Sequence, residues 1–156
     1  MNDREISEAS AAEEDELFAL YALIVAEGGA FPRKPPADRQ SFREVWLDKA
    51  LVMVACADGH LAGSYYVTPN YGGLASHIAN AGYMVHPDRR GRGLGRRLVE
   101  HSIAEARRLG FDAMMFNMVF ESNPARRLYE RLGFEVVGRV PDAVGGEAGL
   151  VYWRAL

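Results

Sequence analysis

Apolar and polar positions change period several times along the chain, and each change marks an element. Leu17, Leu20, Tyr21, Ile24 and Val25 recur at helical spacing. Ser10 stands ahead of them as an N-cap, the acids from Glu13 to Glu16 suit the positive end of a helix, and Gly28-Gly29 ends it. Residues 31–36, Phe-Pro-Arg-Lys-Pro-Pro, are too rich in proline for regular structure. That loop either lines a cleft between two early helices or simply connects them. Residues 38–49 form a second predicted helix, with Phe42, Val45 and Trp46 on one face. Residues 51–57 and 61–68 are predicted strands joined by the hairpin turn Asp58-Gly59-His60, and a strand over 76–85 follows the turn at 69–73. Residues 1–9 either fray or supply an edge strand around Ile6.

The densest stretch is 79–109. An apolar strand ends at Val85, His86-Pro87 turns the chain, and Arg90-Gly91-Arg92-Gly93-Leu94-Gly95 leads into a helix. Leu94, Leu98, Val99, Ser102, Ile103, Ala106 and Leu109 fall on one side of that helix; Arg96, Arg97, Glu100, Arg107 and Arg108 fall on the other. Beyond it come a strand over 111–119, a short helix over 122–132 stopped by Gly133, a strand over 134–140, a loop over 141–149 and a last strand over 150–154. The crossover through the long helix makes the strands on either side of it parallel neighbours. The expected fold class is therefore α/β: a mixed sheet of about six or seven strands with helices on both faces, in a single domain over residues 1–156.

Composition narrows the function. A net charge of −3 argues against a dedicated nucleic-acid binder, yet residues 89–108 carry seven arginines, which suits a small phosphorylated ligand. No apolar run reaches membrane-spanning length and no signal peptide is evident, so the cytoplasm is the expected compartment. Cys56, the single cysteine, lies in an apolar run and reads as a buried strand thiol. No Cys/His grouping has metal-ligand spacing, so no metal is expected.

Strand, glycine turn and helix N-terminus together point peptide N–H groups at an anion, and Arg89, Arg90, Arg92 and Arg96 stand ready to add contacts. A Rossmann fingerprint spaces its glycines G-x-G-x-x-G, whereas these run G-x-G-x-G; a Walker A loop needs Gly-Lys-Ser/Thr, and Gly95 precedes Arg96-Arg97. Arg90, Gly93 and Gly95 instead meet the pattern Gln/Arg-x-x-Gly-x-Gly/Ala, and a second block, Asn123-Pro-Ala-Arg-Arg-Leu-Tyr-Glu-Arg-Leu-Gly-Phe134, follows at the matching separation. In both blocks the chain resembles the GCN5-related N-acetyltransferase (GNAT) family, from about residue 51 to the C-terminus. The resemblance implies a mostly antiparallel twisted sheet, acetyl-CoA as donor and an amine as acceptor.

By that resemblance the backbone of Tyr83, Met84 and Val85 pairs with the pantetheine arm and polarises the thioester carbonyl. Gly91, Arg92, Gly93, Leu94, Gly95 and Arg96 hold the pyrophosphate together with Arg90, Asn123 contacts the pantetheine, and Tyr129 is the acid that protonates the departing thiolate. The spacing from Asn123 to Tyr129 is one residue shorter than is usual in the family, so Ser122 is an alternative for the asparagine's place. The strand before the loop lacks the customary glutamate; His77, Tyr83, Glu121 or water is left as base. Asn80 and Asn117 lie inside apolar strands: each either ties down a backbone bulge or points into the acceptor cleft to hold a carboxylate or amide. The phrases Asn80-Ala-Gly and Phe116-Asn-Met-Val are similar to a branch that acetylates small amino or imino acids, proline analogues included. Direct attack by a small-molecule amine in a ternary complex is the implied reaction. A protein N-terminus, a lysine, a polyamine or an aminoacylated RNA is the rival acceptor, and an acyl-CoA sensor the non-enzymatic alternative. Homodimerisation through the strands after Gly133 is implied as well.

Overall fold

The strands are β1 (Ile6–Glu8), β2 (Leu51–Ala57), β3 (His60–Pro69), β4 (Ile78–Val85), β5 (Ala113–Phe120), β6 (Glu135–Val144) and β7 (Glu147–Ala155). In the computed structural model, which describes residues 5–156, they form one sheet in the order β1-β2-β3-β4-β5-β7-β6. Residues 1–4 of the predicted N-terminal tail lie outside the described residues. Every neighbouring pair is antiparallel except β4 and β5, as the crossover requires. The mixed, mostly antiparallel sheet expected from the sequence is thus observed.

Helices α1 (Glu14–Glu27) and α2 (Arg39–Phe42, extended by a wider turn over Arg43–Leu47) cover one face. Helices α3 (Leu94–Arg108) and α4 (Arg126–Arg131) cover the other. Strand β2 displays the two-sided burial: Leu51, Met53 and Ala55 pack with α3, while Val52 and Val54 pack with α1 and Trp46. Ser10 and Glu13 form a reciprocal capping box before α1. Asp38 caps α2 through Ser41 N–H at 2.8 Å. Asp58 and Gly59 turn β2 into β3 with φ of 54° and 77°, as a two-residue hairpin requires.

Four local expectations are corrected. The helix predicted from residue 122 starts at Arg126, because Pro124 disfavours helical backbone at Asn123, whose Oδ1 instead accepts from Ala125 N–H at 2.9 Å. The second helix ends at Leu47, short of Lys49. The predicted loop over 141–149 is a hairpin: β6 runs to Val144, and Gly145-Gly146, with φ of 58° and 84°, turn directly into β7. Pro141 is tolerated there because β6 is an outer edge and its ladder with β7 shifts register between Val140 and Val144, a stretch in which Pro141 has no pairing partner. Cys56 is exposed, since β2 shifts register between Ala55 and Cys56 and the bulge turns the thiol outward. Its neighbours Glu13 and Glu16, together with burial, push the thiol pKa up, the opposite of an activated nucleophile.

The long helix sits close to the sheet because of Gly63 on β3. A Cβ there would lie 2.8 Å from the Met84 carbonyl oxygen, 3.1 Å from Leu98 Cδ1 and 3.3 Å from Leu94 Cδ2. Gly63→Ala is expected to destabilise the fold by about 1–3 kcal/mol, the usual range for overpacking a filled core. Gly72→Ala, whose added methyl meets nothing within 4 Å, is expected to stay within about 0.5 kcal/mol. Urea denaturation of both variants checks this; equal stabilities would overturn it.

Candidate functional site

The site begins where two neighbouring strands stop pairing. Strand β4 keeps β3 on one edge from Ala79 to Val85, but on its other edge it meets β5 only at Ile78–Asn80 with Ala113–Met115. Beyond that point Ala81–Val85 have no strand partner on this edge among the described residues, so their outward peptide groups face open space. The gap is a cavity of about 740 Å³, the size of a cofactor pocket. Its walls are β4 from Asn80 to Val85, β5 from Phe116 to Val119, the segment 122–125, Tyr129, and the end of α1 with the proline-rich loop.

One end of the cavity is the glycine turn. Gly91 and Gly93 have φ of 71° and 78°, a region closed to most side chains, and Gly93 opens α3 with no side-chain cap on its first amides. Those amides and the helix dipole form an anion cradle. Arg90, Gly91 and Gly95 line the cavity, whereas Arg92, Gly93, Leu94 and Arg96 do not. Leu94 is buried against β3 and anchors the turn. The arginines are already engaged: Arg89 with Asp58 at 2.8 Å, Arg96 with Glu100 at 2.8 Å, and Arg90 with both oxygens of Glu27 at 2.8 and 3.4 Å. Arg92 also has a partner.

Tyr83, Met84 and Val85 line the cavity at its centre, and the side chains of the first two are committed elsewhere. The Tyr83 hydroxyl is 2.7 Å from Ser102 Oγ under α3, and Met84 is buried on the α1 side. Tyr129 packs its ring against Tyr83, Phe116, Phe134 and Tyr152. Its hydroxyl has no hydrogen-bond partner among the described residues. Since no buried side-chain oxygen is left unsatisfied there, that hydroxyl opens into the cavity. Burial pushes the phenol pKa up, so the group is protonated at neutral pH. Helix α4 holds it in place: Arg126 Nε donates to Tyr152 Oη at 2.9 Å, and that hydroxyl donates to Glu130 at 2.9 Å.

Asn80 fastens the point of divergence. Its Nδ2 donates to the Met115 carbonyl at 3.1 Å, and its Oδ1 accepts from the Tyr66 hydroxyl at 3.0 Å. Tyr66 lies over β4 because residue 82 is glycine; a Cβ there would sit 2.5 Å from Tyr66 Cε1. Asn117 is exposed rather than buried, because β5 bulges between Phe116 and Val119, with Met118 at a φ of 49°. Its amide exchanges hydrogen bonds with Asn70 at 2.7 and 3.4 Å. Both asparagines line the cavity. Of the two candidates before α4, Ser122 is turned to Glu147, at 2.8 and 3.0 Å, and Asn123 caps Ala125; both line the cavity.

The base candidates fare differently. His77 and Glu121 do not line the cavity, and Glu121 faces Arg139 at 3.5 Å. Tyr83 is held neutral by burial. The carboxylate that does line it is Glu27, which sequence reasoning missed because its partner Arg90 is 63 residues away. Arg33, Trp46, Tyr66 and Asn70 were missed too; the proline-rich loop that carries Arg33 was the one signal pointing there.

A family model described as Acetyltransferase (GNAT) family matches residues 15–134. The N-acetyltransferase aca1 of Schizosaccharomyces pombe is 44% identical over 84 residues, 53% of this chain and 40% of that protein, so the chain spans less than half of that relative's length. An L-methionine sulfoximine/L-methionine sulfone acetyltransferase of Pseudomonas paraeruginosa is 28% identical over 92% of this chain and 87% of its own. The structure of a GCN5-related N-acetyltransferase from Kribbella flavida superposes with a TM-score of 0.91 at 34% identity, covering 98% of each chain.

The buried phenols set a pH dependence. Tyr65, Tyr83 and Tyr129 all have pKa values raised by burial, from an unfolded value of about 10. Above about pH 10 the unfolded chain loses these protons and the folded chain keeps them, so stability is full below about 10 and falls as the pH rises further. Denaturant titrations on either side of that value are expected to show the decline; a flat profile would contradict it.

Proposed function

Since the chain belongs to the GNAT acetyltransferase family, we propose that it is an acetyl-CoA-dependent N-acetyltransferase whose acceptor is the primary or secondary amine of a small amino- or imino-acid-like molecule. The observation that carries the reading is the unpaired edge of β4, with an uncapped helix N-terminus at one end of the cavity and an amide-lined wall at the other. An extended pantetheine arm has amides of its own, and a free strand edge is where such a chain finds partners. The diphosphate lies at the turn of Gly91, Gly93 and Gly95, where peptide N–H groups face it. Asn123 borders the arm, and Asn80 and Asn117 border the acceptor. Relatives whose names specify small amino-acid substrates support that acceptor class.

The chemistry is direct attack. A peptide N–H near Val85 polarises the thioester carbonyl, the neutral amine adds to it, and the C–S bond breaks. Tyr129 supplies its hydroxyl to the departing sulfur. A phenol raised above about 10 is a weaker acid than a thiol near about 8.5, so it acts as hydrogen-bond donor to the developing thiolate. The proton released by the amine completes the balance on sulfur. Because Glu27 is held by Arg90, that proton reaches the sulfur through water, and the ammonium form of the acceptor gives up its extra proton before it binds.

Calorimetry with coenzyme A and with acetyl-CoA, followed by thiol release with a panel of amines, tests the reading; absence of heat with both would end it. Tyr129→Phe is expected to lower kcat on the order of a hundredfold with acetyl-CoA affinity unchanged. Unchanged kcat would remove Tyr129 from the chemistry.

A further inference from the structure

We infer that Arg33 is the carboxylate anchor of the acceptor site, so that the enzyme selects free amino acids over amines lacking a carboxylate beside the nitrogen. This rests on the acetyltransferase reading above and deepens it.

Three charged side chains line the cavity: Glu27, Arg33 and Arg90. Glu27 and Arg90 neutralise each other in a two-pronged pair. Arg33 has no acid within ion-pair distance among the described residues. Arg39 and Arg43 on the adjacent helix, by contrast, have Asp15 and Glu14 at 2.8 and 3.1 Å. The cavity therefore carries a net positive charge, on the proline-rich loop that follows α1. An unpaired guanidinium in a concave site is a fork for a carboxylate.

The wall that carries it is firmly placed despite lying in a loop. Arg33 N–H donates to the Phe31 carbonyl at 2.8 Å, which fixes the turn at Pro32. The Phe31 ring packs on Trp46 at 5.8 Å, and Trp46 meets Tyr66 edge-on at 4.9 Å. Tyr66 in turn holds Asn80. Arg33 also opposes the rise in the Tyr66 pKa, which burial pushes up to about 12, so the two groups are electrostatic neighbours. Guanidinium, phenol and amide thus share one wall, and a carboxylate bound there sets the α-amine next to the edge of β4.

The selectivity follows from charge. A peptide N-terminus replaces the carboxylate by a neutral amide and leaves Arg33 unpaired. A polyamine or lysine side chain brings a second cation towards it. Only an acceptor with a carboxylate near its amine satisfies the site.

The test compares wild type, Arg33→Gln and Arg33→Lys on a panel of free L-amino acids, L-proline included, and on the corresponding carboxamides. Wild type is expected to prefer the acids. Arg33→Gln is expected to raise KM for the acids on the order of tenfold, leaving KM for the carboxamides and kcat for both in place, and Arg33→Lys to restore part of the loss. Arg33 is exposed, so thermal melting of both variants should match wild type. If Arg33→Gln leaves the acid-to-carboxamide ratio unchanged, or wild type prefers carboxamides, the anchor is refuted while acetyl transfer stands. Absence of turnover with every amine refutes both.

Discussion

Beyond Asn80 and Met115 the two central strands stop exchanging hydrogen bonds, and the peptide groups released there must be satisfied by something other than the sheet. A sheet interior is the costliest place to leave them bare, since water reaches them only through the opening itself. The chain retains this defect because the flanking pairs are continuous: β4 remains zipped to β3, and β5 to β7. What remains is a slot whose outward-facing peptides are those that the proposed pantetheine arm would pair with.

Several otherwise unrelated side chains serve that slot. Asn80 caps the first carbonyl past the divergence, so the split begins at one residue rather than fraying along the strand. Gly82 admits the Tyr66 ring that orients Asn80, and Gly63 admits the first turn of α3 against β3, which brings the uncapped amides to the mouth of the slot. Behind β5, the rings of Phe116, Phe134, Tyr152 and Tyr83 surround Tyr129, so its hydroxyl keeps its position without a hydrogen bond to any of the described residues. The bulge at Met118 shifts β5 by one residue and brings Asn117 to the rim.

What could be read from the sequence was local. Asp58-Gly59, Gly28 and Gly133 end their elements because few other residues adopt positive φ, and the glycine turn before α3 is legible for the same reason. The three-strand meander and the crossover follow from period and turn chemistry alone. Pro141 misled because whether a strand lies at a sheet edge is a tertiary fact, and at an edge proline is harmless. The apolar run of β5 did not reveal that Asn117 is exposed, because a one-residue bulge leaves no mark in the pattern. The link from Glu27 to Arg90 joins positions 63 apart, beyond the reach of any periodicity.

Charge shows most clearly how composition and geometry diverge. Seven arginines lie between 89 and 108, and in the sequence Arg89, Arg90, Arg92 and Arg96 stand ready to add contacts to an anion held by peptide N–H groups. In the fold Arg89, Arg90 and Arg96 meet Asp58, Glu27 and Glu100, so much of that positive charge is spent on protein contacts. The anion cradle that remains is made of peptide N–H groups, which are fixed in direction, carry no counterion and lose no side-chain entropy when a ligand arrives. Arg33, in a segment whose composition drew attention only for its prolines, lines the same cavity without an acid partner among the described residues. The proposed reaction draws on two kinds of positive group: oriented peptides at the turn, which would accommodate the diphosphate, and the Arg33 guanidinium, which would distinguish acceptors by whether a carboxylate accompanies the amine.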